Sequence, residues 1–108
     1  MSSKRKKDGF DRYVEEVFKQ DPQAKLSYLA ELAQEPIATQ LAVLRRRLGL
    51  TQEEVARRMH VPQSNVARLE REGENPTARM IAKAAKALGC CLLLIPEKEI
   101  DRFNAVRA

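Results

Sequence analysis

The chain has 108 residues, of which 44% are hydrophobic and 32% charged. That suits one core-forming domain with a helical extension and excludes a disordered or low-complexity chain. The net charge is +5. Charge alone leaves a phosphate-binding chain and a merely soluble basic chain equally open.

Several classes drop out on composition. Aromatic residues are only 5% and Trp is absent, too few rings to stack a single-stranded nucleic acid. The only cysteines, Cys90 and Cys91, are adjacent, and neighbours on a regular element point apart, which argues against a structural bridge. His60 is the only histidine, so no metal-ligand spacing exists, and no metal or cofactor is expected. The longest apolar run, Cys90 to Ile95, is too short to span a membrane. The N-terminus lacks an apolar signal core, and a reducing cytoplasm is the expected compartment. There is no Cys/His pair, phosphate-binding Gly loop or nucleophile–base set, so an enzyme is the weakest reading.

Met1 to Lys7 is polar and basic without periodicity, and residues 1–8 read as a disordered basic tail. Phe10, Tyr13, Val14, Val17 and Phe18 recur at helical spacing and predict a helix over 9–19. Asp21-Pro22 is a helix start, with Asp as N-cap and Pro at the first position. The helix that follows, 22–34, presents Leu26, Leu29, Ala30 and Ala33 on one face, and residues 9–35 form an N-terminal helical extension. A third helix over 36–48 has Ile37, Leu41, Leu44 and Leu48 inward and stops at Gly49.

Thr51-Gln-Glu-Glu54 is a capping box opening a short helix to Met59. His60-Val61 is a tight connection, and Pro62 starts a helix to about Arg71. Gly73 to Pro76 is a turn, and Thr77 caps a last helix, 78–88, with Met80, Ile81, Ala84, Ala85 and Leu88 inward and Gly89 at its end. Cys91 to Ile95 reads as a short strand closed by Pro96, so the second domain is expected to cover 36–96 and a tail 97–108. The charge is uneven: net −3 over 11–35, but net +3 from Arg45 to Arg79.

Two short helices joined by a turn of about four residues are the specification of a helix-turn-helix. The second helix must project while packing closely on the first. Ala56 supplies the small residue at the crossing, and Val55, Met59, Val61, Val66 and Leu69 supply apolar anchors. Leu48-Gly-Leu-Thr-Gln-Glu-Glu-Val-Ala56, Val61-Pro-Gln-Ser-Asn-Val-Ala-Arg-Leu-Glu70 and Asn75-Pro-Thr77 resemble the phage-repressor/Cro-like family of helix-turn-helix proteins. The resemblance implies an all-α, lambda-repressor-like helical bundle, here with an N-terminal helical extension and one short C-terminal strand. It also implies sequence-specific binding of double-stranded DNA and regulation of transcription. The flanks, Asp21-Pro22, Leu29-Ala-Glu-Leu32, Ile37 and Leu41, with Leu88-Gly-Cys-Cys-Leu-Leu-Leu-Ile-Pro96, resemble HigA-type antitoxins of toxin–antitoxin operons.

The family resemblance assigns roles by position. Gln52 matches a glutamine that holds a DNA phosphate, beside helix amides that already favour anions. Gln63, Ser64, Asn65 and Arg68 match the base-reading face of the recognition helix. Gln and Asn can bond adenine bidentately, and Arg can bond guanine O6 and N7, each worth ~1–3 kcal/mol of discrimination. Arg45 and Glu70 match a buried ion pair joining the helix before the motif to the end of the recognition helix. Asn75 and Arg79 are candidates for phosphate contacts. The plainer alternative is that Gln63 to Asn65 form an ordinary polar face and that Arg46, Arg47, Arg57, Arg58 and Arg71 are simply solvated.

Two positions depart from the family pattern. His60 stands where Gly is usual and φ is positive, and Pro62 stands where Ser or Thr commonly caps the recognition helix. The implied partners are double-stranded DNA with a palindromic operator and a second copy of the chain. If the antitoxin resemblance holds, a basic ribonuclease toxin joins them, with the acidic helices at 10–35 as its surface. The 91–95 strand is a candidate dimer element, since a lone strand leaves its edge unpaired. A stand-alone phage-type repressor and a protein-interaction module or coactivator that does not read DNA are the rival readings.

Overall fold

A computed structural model of the chain describes residues 9–71 and 73–105. The basic segment 1–8, expected to be a disordered tail, lies outside the described residues, as do the side chains of Phe10 and Tyr13. Seven helices follow one another: α1 (Gly9–Gln20), α2 (Pro22–Ala33), α3 (Ile37–Arg47), α4 (Gln52–Met59), α5 (Gln63–Leu69), α6 (Ala78–Ala87) and α7 (Glu97–Ala105). They divide between two compact units, one of residues 36–92 and one of 9–35 with 93–105.

In the unit 36–92, Leu41, Leu50, Val55, Ala56, Met59, Val66, Leu69, Ala84 and Leu88 form one buried cluster drawn from α3 to α6. Ile37, Leu44, Leu48, Val61 and Met80 pack on its rim. Three of its helices end in the same way. After α3, Gly49 takes φ 73° while Leu50 N–H bonds back to Arg45 O at 3.1 Å and Gly49 N–H to Arg46 O at 3.0 Å. This left-handed residue with two backward bonds satisfies carbonyls that the helix end would leave open. Gly89 closes α6 with φ 71° and a 2.8 Å bond from Cys90 N–H to Ala85 O. At the end of α4 the residue is His60, with φ 58° and ψ 44°, and Val61 N–H reaches Ala56 O at 3.0 Å.

In the other unit, Asp21 Oδ1 accepts from the amides of Gln23 and Ala24 at 3.1 and 3.2 Å, which caps α2. The Phe18 and Tyr28 rings, 5.4 Å apart, join α1 to α2. α2 also packs against α7, and Ser27, Ala30, Leu32 and Ile100 are buried. Leu29, which shares one apolar face with Leu26, Ala30 and Ala33 in the sequence, is 41% exposed. The inward face of α2 is turned toward Ser27 and Ala30 because it has α7 as well as α1 to cover it. Helix α7 occupies the segment that the sequence predicts to be a tail. Its nine residues offer few apolar positions, and its start rests on Pro96 O accepting from Glu99 and Ile100 amides at 2.9 and 3.3 Å.

The strand expected at Cys91 to Ile95 is not formed: among the described residues there is no strand. A strand exists only through a partner for its N–H and C=O groups. The described chain offers no second extended run, so Leu92, Leu93 and Leu94 stand 53%, 77% and 95% exposed. Among the described residues no helix is long and apolar enough to cross a membrane, and no His/Cys/Asp/Glu group could hold a metal ion.

Candidate nucleic-acid interface

The candidate interface lies on α4 and α5, of eight and seven residues. Helices this short are marginal alone and depend on capping and packing. At the start of α4, Thr51 Oγ1 accepts from Glu54 N–H at 3.1 Å and Glu54 Oε1 accepts from Thr51 N–H at 3.0 Å. The reciprocal box predicted from the residue types is therefore present. Ala56 is buried in one cluster with Val55 and Met59 of α4 and Val66 and Leu69 of α5, and the two helices pack on each other. α5 begins after Pro62, which makes no side-chain cap. Its first amides are left to water or to an anion.

One hydrogen-bonded chain sets the position of α5. Arg45 and Glu70 are in contact and almost buried: Nε donates to Oε2 at 2.6 Å and Nη2 to Oε1 at 3.0 Å. Arg45 Nη1 also donates to Leu50 O at 2.8 Å, so one guanidinium ties α3, the turn after it and the end of α5. Glu70 Oε1 accepts in addition from Gln52 Nε2 at 3.0 Å, and Gln52 Oε1 accepts from Gln63 Nε2 at 3.2 Å. Sequence reasoning treated Gln52 and Gln63 as separate contacts, and their link across the turn was missed. Eleven residues apart, they meet only because α4 and α5 cross there.

The Gln52 amide keeps one N–H, enough to donate to a phosphate, and Gln63 keeps one N–H and its whole carbonyl oxygen. Those are the groups a bidentate bond to adenine needs. Gln63, Ser64 and Arg68 are exposed and Asn65 is half-buried, so the four residues expected to read bases share the accessible side of α5. Asn75 and Arg79 are exposed on and after the turn that follows. Asn65, Arg68, Glu74, Asn75, Thr77 and Met80 line an open hollow of about 270 Å³.

Some charged residues have partners that no spacing rule announces. Glu74 Oε1 lies 3.6 Å from Arg68 Nε and 3.8 Å from Arg71 Nη1. Arg58 Nη1 donates to Ala87 O at 2.9 Å and so closes the end of α6 instead of standing free in solvent. Cys90 is half-buried, and burial followed by the neighbouring Cys91 pushes its thiol up, away from the reactive thiolate.

Residues 41–92 match the helix-turn-helix family model. No curated protein and no solved structure matches the chain. The matched segment runs from the core end of α3 through α4, α5 and α6, and so contains both the crossing at Ala56 and the exposed face of α5. Residues 41–92 are therefore a helix-turn-helix segment of the phage-repressor/Cro-like type, a family of DNA-binding transcription regulators.

Proposed function

We propose that the protein reads a specific double-stranded DNA sequence as a homodimer on a palindromic operator and represses its own operon. Gln63, Ser64, Asn65 and Arg68 contact base edges in the major groove, while Gln52, Asn75 and Arg79 hold phosphates. One observation carries this reading: α5 keeps its polar side exposed while Val66 and Leu69 lock its other side into the core. The unused hydrogen-bonding groups of Gln52 and Gln63 support it. The exposed run Leu92 to Leu94 supports the homodimer, because pairing with a second copy would cover it.

The flanks extend the proposal. Their resemblance to HigA-type antitoxins supports an antitoxin role in the cytoplasm, in which a basic ribonuclease toxin binds the acidic helical extension. Selection of bound sequences from random DNA tests the central reading. Enrichment of a palindrome with half-sites one helical turn apart, ~34–36 Å, is expected. Binding without any sequence preference would leave only a protein-interaction module. For the antitoxin role, a neighbouring reading frame for a small basic ribonuclease, neutralised on co-expression, is the expected finding; an isolated gene removes it.

A further inference from the structure

Arg68 is the one long, cationic side chain among the four base-reading residues, and an unrestrained arginine on an exposed helix reaches phosphates as readily as bases. The turn after α5 addresses this. Gly73 takes φ 88°, a left-handed conformation with open space around it, and the chain doubles back so that Glu74 N–H meets Arg71 O at 3.4 Å. That places a single carboxylate oxygen, Oε1 of Glu74, near two guanidinium groups, Arg68 in the last turn of α5 and Arg71 just beyond its end. The two arginine side chains are 63% and 64% exposed and that of Glu74 38%, so the cluster faces solvent beside the hollow that Arg68 and Asn75 line.

We propose that Glu74 is a positioning residue that sets DNA specificity by holding Arg68 in its base-reading orientation. The inference rests on the reading that α5 contacts bases. Glu74 engages Arg68 through Nε at 3.6 Å, a contact that does not use the two terminal nitrogens of this 63% exposed side chain. That pair can bond guanine O6 and N7 together. The same carboxylate works against the wrong complex. On a non-cognate duplex Arg68 turns to a phosphate, the contact with Glu74 is lost, and an uncompensated negative charge is left beside the DNA backbone. Specificity of this kind comes from weakening competitors as much as from strengthening the correct site.

The test uses the full chain, with Glu74→Gln, Arg68→Ala and the double variant, against the selected operator, operators changed at single base pairs, and a random duplex. All four proteins are first shown to melt alike, as expected for exposed residues. Glu74→Gln is expected to bind the random duplex more tightly, with its salt dependence steeper by about 0.9 in log–log slope for each protomer, the equivalent of one phosphate contact. Its preference at the base pair read by Arg68 is expected to fall by up to about fivefold, the full worth of an exposed ion pair. In the Arg68→Ala background, Glu74→Gln should change that preference no further. An unchanged preference in Glu74→Gln, or equal tightening on every duplex, overturns the inference while leaving the DNA-reading proposal in place. A wild-type chain that enriches no sequence overturns both.

Discussion

On the proposed reading, Arg68 and Gln52, two polar side chains on adjoining helices, divide base reading and phosphate binding between them. The Arg68 side chain on α5 is mostly exposed, whereas Gln52 is held by Glu70 at the foot of α4 with one N–H to offer. Arg68→Ala should therefore relax discrimination at one base pair by ~1–3 kcal/mol. Gln52→Ala should weaken binding to all sequences alike. Binding curves on a panel of single-base operator changes separate the two patterns. Glu70 is of another kind, because its side chain is nearly buried against Arg45. Removing one partner of such a pair strands a buried charge, so Glu70→Ala should cost about 3–5 kcal/mol in a denaturant titration. Loss of DNA affinity would follow from the displaced α5. The partners Arg45 and Glu70 were legible through the family pattern, but the pairing of Arg68 with Glu74 was not. It depends on the path of the turn at Gly73, which no periodicity encodes.

At the scale of elements, the bounds of α1 to α6 lie within about two residues of those read from caps and apolar spacing. Asp21, Thr51 and Thr77 start helices with side-chain oxygens, and Gly49 and Gly89 end them, so local chemistry is enough there. His60 does the work of a glycine at a place where a side chain is strained. The left-handed conformation costs an L-residue roughly 1–2 kcal/mol, part of which the greater backbone freedom of unfolded glycine cancels. His60→Gly should thus stabilise the fold by about 0.5–1 kcal/mol, read as a higher denaturation midpoint. An unchanged or lower midpoint would mean that the imidazole has compensating contacts. α7 and the absent strand are the elements that local signals did not resolve. One needs α2 to bury Ile100, and the other needs an extended partner that the described chain does not provide.

For the whole molecule, electrostatics and assembly are the testable properties. A homodimer making 6–10 phosphate contacts should lose about 10³–10⁵ in affinity between 50 and 200 mM salt. Titrations of the operator complex across that range check it, and a flat response would remove the phosphate contacts assigned here. The exposed Leu92 to Leu94 run bears on assembly. If it pairs with a second copy, the double substitution Leu93→Lys and Leu94→Lys should shift the protein to a monomer in sedimentation. It should weaken palindromic operator binding while leaving the helical signal unchanged. A dimer that survives the substitution places the interface elsewhere.

What the sequence by itself determined is local and periodic. Caps, glycine stops and the spacing of apolar residues depend on neighbours three or four positions away, and they place the two motif helices and name the exposed face of the second. What only the tertiary structure decided depends on residues far apart in the chain. The Arg45, Glu70, Gln52 and Gln63 relay spans three helices. The covering of α2 by α7 and the unpaired course of Cys91 to Ile95 likewise depend on what the fold brings alongside. Side-chain hydrogen bonds and strand ladders need a partner at about 3 Å, and sequence spacing alone does not say which distant residue will be there.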